Sequence, residues 1–139
     1  MHGVFLGFDF GYTRIGVAVG QQITIQAQPL QTVQANQGIP NWPIIDKILQ
    51  QWSPEELIVG LPTKTDGSAQ YTTKAAKKFS IQLQQRYTIP VNLVDERFTT
   101  VAAREIVFNT GGYRSLKKKS IDSIAACIIL EHWMREKFA

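Results

Sequence analysis

Carboxylates carry the most chemical promise in this chain. Asp9 ends an otherwise apolar run, Val4 to Phe8, where an unpaired buried carboxylate is costly and demands a partner. Asp95 and Glu96 close a second run, Asn92-Leu93-Val94, and because strand side chains alternate, at most one of the two shares Asp9's side. Asp122 stands two residues after Ser120, the expected cap of a final helix. Each has an ordinary account taken alone: a turn or ion pair for Asp9, Arg97 as local counter-ion for the strand-end pair, and the helix dipole for Asp122. The set says more than its members. Carboxylates that converge with no buried base repel one another unless cations intervene. Oxygen-only ligands suit hard ions such as Mg²⁺ or Mn²⁺, which accept phosphate oxygens in their remaining positions. The chemistry this points to is metal-assisted attack of water on a nucleic-acid phosphodiester.

Charge supports a polyanionic partner. The chain has 139 residues, with 15 Lys plus Arg against 11 Asp plus Glu, a formal charge of +4. The excess lies in the second half, densest at Arg114, Lys117, Lys118 and Lys119, immediately before Asp122. A second group, Lys74, Lys77 and Lys78, reads better as a solvated face. Histidines are poor candidates. Neither His2 nor His132 has a Ser, Cys or second His at useful spacing. Cys127, the lone cysteine, sits among Ala126, Ile128 and Ile129 as a small buried hydrophobe, which excludes a disulfide framework and favours a cytoplasmic setting. The longest apolar run, Ile124 to Leu130, is far too short for a membrane span of about 20 residues, and no secretory signal is expected.

Strands and helices must position these groups. With 44% hydrophobic residues and a length near the usual domain size, residues 1–139 are expected to form one domain. Val4 to Phe10 reads as a strand, Ile15, Val17 and Val19 alternate as a second, and a third is expected from about Ile23 to Ala27. Residues 34 to 43 read as a loop, and Ile44 to Trp52 as a helix ended by Ser53-Pro54. Glu56 to Gly60 has the continuous apolar character of a strand buried on both faces. A helix over 70 to 87, a strand Val91 to Asp95, a helix from Thr99 or Thr100 to Asn109 and a last helix capped by Ser120 complete the order. Three hairpin-linked strands followed by alternating helices and strands predict an α/β fold, a mixed five-stranded sheet with helices packed on it.

The ordered motifs resemble a known family. Asp9-Phe10-Gly11-Tyr12-Thr13-Arg14-Ile15-Gly16-Val17-Ala18 is similar to the opening signature of the YqgF (RuvX) family of Holliday-junction resolvases and pre-16S ribosomal RNA nucleases. Ala27-Gln28-Pro29-Leu30, Val59-Gly60-Leu61-Pro62 with Asp66-Gly67, Asp95-Glu96-Arg97-Phe98-Thr99-Thr100 and Lys118-Lys119-Ser120-Ile121-Asp122-Ser123-Ile124-Ala125-Ala126 follow in order. The resemblance implies a ribonuclease H-like fold, with Asp9, Glu96 and Asp122 as the acids of a Mg²⁺ or Mn²⁺ site and Asp95 set aside. It further implies that Arg14, Arg97 and Lys117 to Lys119 hold backbone phosphates and do not read bases.

The function expected from these readings is a metal-dependent nuclease that processes the 5′ end of pre-16S rRNA. A resolvase cleaving branched DNA is the alternative, and a non-catalytic nucleic-acid-binding module ranks below both. Structured RNA and branched DNA both stay open as partners, as do monomer and homodimer, since cutting two strands of a junction calls for a symmetric pair and RNA trimming does not. Asp-x-Gly after a first strand also resembles the phosphate hairpin of the actin, hexokinase and Hsp70 ATPases. Those enzymes clamp nucleotide between two such domains, and this chain has length for one.

Overall fold

Strand β1 (Val4–Asp9) runs through the middle of the sheet, with a partner on each edge and a packed hydrophobic cluster on each face. The computed structural model describes residues 3–61, 71–95 and 118–138. Along one edge β1 pairs antiparallel with β2 (Arg14–Gln21), in a register that sets Gly7 opposite Ala18 and Asp9 opposite Gly16. Along the other it pairs parallel with β6 (Glu56–Leu61), so that Asp9 also lies beside Gly60. β6 in turn pairs parallel with β7 (Val91–Asp95).

Beyond β2 the sheet extends further than expected. β3 (Gln26–Pro29) pairs with the later half of β2, while β4 (Val33–Asn36) pairs with its first residues, Arg14 and Ile15. β5 (Ile39–Pro40) closes a hairpin on β4, which makes seven strands among the described residues where the sequence predicts five. The loop expected over residues 34 to 43 is instead a hairpin, in which Gln37 and Gly38, at φ of 50° and 84°, form the two-residue positive-φ turn that joins such strands. The strands it joins are too short and polar to show a period-2 signal. The third strand also begins later than Ile23. Residues 22 to 25 form the turn from β2, and Ile23 is 97% exposed, so its β propensity finds no sheet to pack on.

Helices cover both faces. α1 (Trp42–Trp52) starts with Pro43 in its first turn and ends at Ser53, whose left-handed backbone returns its N–H to the Leu49 carbonyl. α2 (Tyr71–Tyr87) lies beside it, and together they bury Ile45, Ile48, Leu49, Phe79 and Leu83 against Leu6, Phe8, Val17 and Val59. Phe8 meets Phe79 edge to face at 5.6 Å. α1 and α2 are further joined by Asp46, which accepts two hydrogen bonds from Arg86 and one from the Tyr87 hydroxyl.

The opposite face belongs to α3 (Lys118–Phe138), which buries Ala126, Ile129, Leu130 and Met134 against Phe5, Ala18 and Ile58. Ser120 is not its cap, because the helix already begins at Lys118; Asp122 therefore falls in the second turn, beyond the reach of the end-of-helix account. Cys127 is buried here as expected, its thiol pushed up to about 12 by burial and by the charge of Glu131. The helix expected from residue 99 or 100 to 109 lies outside the described residues. Among the described helices none is long and apolar enough to cross a membrane.

Candidate active site

Toward the Asp9 end, the sheet face beneath α3 carries small residues, and this brings the helix backbone down onto the strands. A methyl group placed on Gly16 would lie 2.0 Å from the Asp122 carbonyl oxygen, and one on Gly7 would meet Leu130 Cβ at 2.8 Å and the Ala126 carbonyl at 3.1 Å. Helix and strand therefore touch through backbone atoms at the level of Asp122. Because Gly16 is the register partner of Asp9, this contact carries Asp122 to the Asp9 carboxylate.

Two acids thus meet at the C-terminal end of β1. Burial pushes Asp9 up to about 7 from an ordinary value near 3.8, and the neighbouring charge of Asp122 adds to the rise. Among the described residues no side-chain hydrogen bond or ion pair reaches Asp9. Asp122 differs, since Arg14 donates from Nε to its Oδ2 at 3.0 Å, with both side chains partly buried. The arginine is thereby oriented on β2, the strand beside Asp9.

Ser123 fixes the height of this helix turn. It is 1% exposed and its hydroxyl donates to the Leu30 carbonyl at 2.8 Å, with the Thr32 hydroxyl 3.3 Å away. Leu30 itself donates its N–H to the Val17 carbonyl at 2.8 Å, so the β3 to β4 connection ties α3 to the same strand that bears Gly16. Neither Ser123 nor Gly16 was singled out from the sequence as a positioning residue. A signal existed: in Gly16-Val17-Ala18-Val19-Gly20 every residue on one face is small, the mark of a close-packed cover.

Asp95, the acid set aside in favour of Glu96, is described. It aligns with Leu61, whose side chain packs on the α1 and α2 face, and it is exposed; Val94, one residue before, aligns with Gly60 on Asp9's face. Asp95 is therefore on the wrong side of the sheet to join Asp9, as the alternation argument required of one member of the pair. Glu96, Arg97, Arg114 and Lys117 lie outside the described residues, and Lys118 and Lys119 open α3. Within the described residues no group of three metal-ligating side chains gathers; the structure brings together Asp9, Asp122 and Arg14.

This architecture is shared with proteins of known structure. The Thermus thermophilus RuvC solved in complex with Holliday junction substrate superposes with a TM-score of 0.55 at 18% identity, covering 98% of this chain and 96% of that one. The fowlpox virus resolvase, solved with its substrate Holliday junction DNA, gives 0.57 at 10% identity over 98% and 99%. At such identities the likeness is one of fold, and that fold is the ribonuclease H-like α/β class. Sequence carries the assignment further. Residues 3–136 match the model of the RuvX family, described as Holliday junction resolvase, and the chain belongs to this family. A relative from Legionella pneumophila, strain Philadelphia 1, named "Putative pre-16S rRNA nuclease", is 58% identical over 134 residues, 96% of either chain.

Proposed function

We propose that this protein is a divalent-metal-dependent nuclease that hydrolyses phosphodiester bonds at the 5′ end of the 16S rRNA precursor. One observation carries the reading: a carboxylate, Asp9, is held at a strand end beside a second acid with no described cationic partner of its own. Such a pair fits a hard divalent cation, because two acidic oxygens with a shared positive ion remove the repulsion that otherwise drives a proton onto Asp9. When bound, Mg²⁺ or Mn²⁺ would supply acidification of a water and neutralisation of charge on the departing oxygen. Asp9 and Asp122 would hold the ion, and Glu96 is proposed as the third acid, a choice supported by Asp95 facing away.

The chain's own groups supply position and charge. Arg14 holds Asp122 from one side, and its guanidinium stands where it can also meet a backbone phosphate. Lys117, Lys118 and Lys119, at the approach to α3, are proposed to bind further phosphates, with Arg97 and Arg114 in the same role. Purified protein with Mg²⁺ or Mn²⁺ should cleave a precursor fragment spanning the 5′ end of 16S rRNA. Asp9→Asn should lower cleavage more than about 100-fold, since losing even a supporting group outside the ligand sphere costs roughly 10- to 100-fold. Equal cleavage by the Asn variant would remove Asp9 from the reaction.

Branched DNA is the second reading, favoured by the family's description and by the junction-bound resolvases that share the fold. Four-way junctions run beside the RNA in the same assay separate the two, with solution mass as a companion, because paired incisions call for a dimer.

A further inference from the structure

On the face of the sheet opposite Asp9 lies a cavity of about 340 Å³ that the proposed reaction does not use. Its chemistry is mixed. Phe10, Tyr12 and Trp42 supply aromatic surface, Lys74 and Lys78 stand on the α2 wall, and Gln82 adds an amide one turn further along the same helix stripe. The far wall is the β4–β5 hairpin, held in place by the Gly38 N–H donating to the Tyr12 carbonyl at 2.9 Å. Phe10 leans on Phe79 and Trp42 stacks on the same ring, with centroids 5.1 and 6.0 Å apart, so the floor is anchored in the core.

Among the described residues, the charge in this cavity is unspent by protein contacts. Arg86, further along the same stripe, lies over Trp42 at 5.0 Å but is neutralised by Asp46, which the paired hydrogen bonds hold below the usual carboxylate range. Neither Lys74 nor Lys78 forms an ion pair among the described residues. Lys77, between them in sequence, does not line the cavity. The lysines that composition alone assigned to a solvated face are thus divided by the helix: two border an aromatic pocket and one does not.

Place decides the ligand. Asp9 and Phe10 are consecutive, on opposite faces at the C-terminal end of β1, so the acidic pair and the cavity flank the same short turn, Gly11 to Thr13. A nucleic-acid strand whose scissile phosphate rests at Asp9 can carry a neighbouring nucleotide across that turn. Aromatic rings stack on any base and ammonium groups attract any backbone phosphate, the combination that single-strand sites employ. We infer that this cavity receives an unpaired nucleotide of the substrate strand next to the cleavage point, its base against Tyr12 and Trp42 and its phosphate near Lys74 and Lys78. The inference rests on the nuclease reading for its substrate, and it makes the enzyme selective for a helix that ends in a single strand.

The test reads binding without cleavage. Labelled RNA stems with and without a short unpaired flank, and the same pair in DNA, are titrated in chelator and followed by fluorescence anisotropy. The wild-type protein should prefer the flanked form by about fivefold or more, the effect of one stacked base. Lys74→Gln combined with Lys78→Gln should abolish that preference while leaving blunt-stem affinity within about twofold, and Lys77→Gln should keep the preference. A 4-thiouridine in the flank should crosslink to Tyr12 or Trp42. Absence of a preference in the wild type, equal weakening on both stems, or crosslinks confined to other residues would overturn the proposal. Preference in DNA as well as RNA supports it and shows that the base and phosphate suffice, whereas preference in RNA alone supports it and adds a 2′-hydroxyl contact. Since no arm measures hydrolysis, a catalytically inert Asp9 site would sink the nuclease reading and leave these results standing.

Discussion

The two faces of the central sheet are built on opposite principles. Beneath α1 and α2 the strands present Leu6, Phe8, Val17, Val19, Leu57 and Val59, and large side chains interlock with Phe79, Leu83 and Ile45. Beneath α3 large side chains are confined to Phe5 and Ile58 on β1 and β6, while Gly7, Gly16, Ala18, Gly20 and Gly60 fill the rest, and near Asp9 the helix descends until backbone meets backbone. The first face gains stability from apolar area removed from water. The second gives up that area at the very level where Asp122 must reach Asp9. Close approach is thus a positioning device, since a side-chain layer between helix and strand would leave room for adjustment that a backbone contact does not.

Substitutions on the two faces should consequently separate stability from activity. Ile45→Ala, in the fully buried α1 face, is expected to cost about 2–5 kcal/mol in urea unfolding while cleavage per folded molecule stays near wild type. Gly16→Ala meets only rigid backbone and should cost about 3 kcal/mol or more for overpacking, and unlike Ile45→Ala it should also lose most cleavage per folded molecule, because the helix must lift and take Asp122 with it. If Gly16→Ala instead loses stability and activity in the proportion shown by Ile45→Ala, the distinction between the faces fails.

The smallest effect has the opposite sign. Asp9 is held at about 7 in the folded chain against 3.8 when unfolded, so between those values the folded state binds more protons and stability falls as pH rises. Above about pH 7 that loss is complete. In metal-free buffer at pH 8, Asp9→Asn should therefore stabilise the protein by about 1–2 kcal/mol, allowing for partial solvent screening of the group. The gain should shrink as pH drops from 7 toward 4, and thermal melts across that range check it. A gain that does not change with pH would mean that repulsion from Asp122 and burial are not its source.

Several parts of this protein are legible in its sequence. The central strands are, because Val4 to Phe8 and Leu57 to Val59 are runs that only a buried sheet accommodates. The acids at their ends are legible too, since a carboxylate closing such a run stands out against its neighbours. The β4–β5 hairpin is not, because its stability comes from contacts with the Gly11 to Thr13 turn and from pairing with β2, neither of which leaves a local pattern. Nor is the start of α3, where a plausible cap residue lies inside the helix.

Composition and periodicity by themselves determined the class of fold and the kind of chemistry its acids can do, for both depend on neighbours a few residues apart. Tertiary structure alone decided that Arg14 answers Asp122 across 108 residues, that Asp95 turns away, and that Lys74 and Lys78 but not Lys77 border a pocket. Those outcomes depend on which helix settles on which face and how deeply. That depth is set by the absence of side chains on a strand, a property whose meaning appears only when the covering helix is in place.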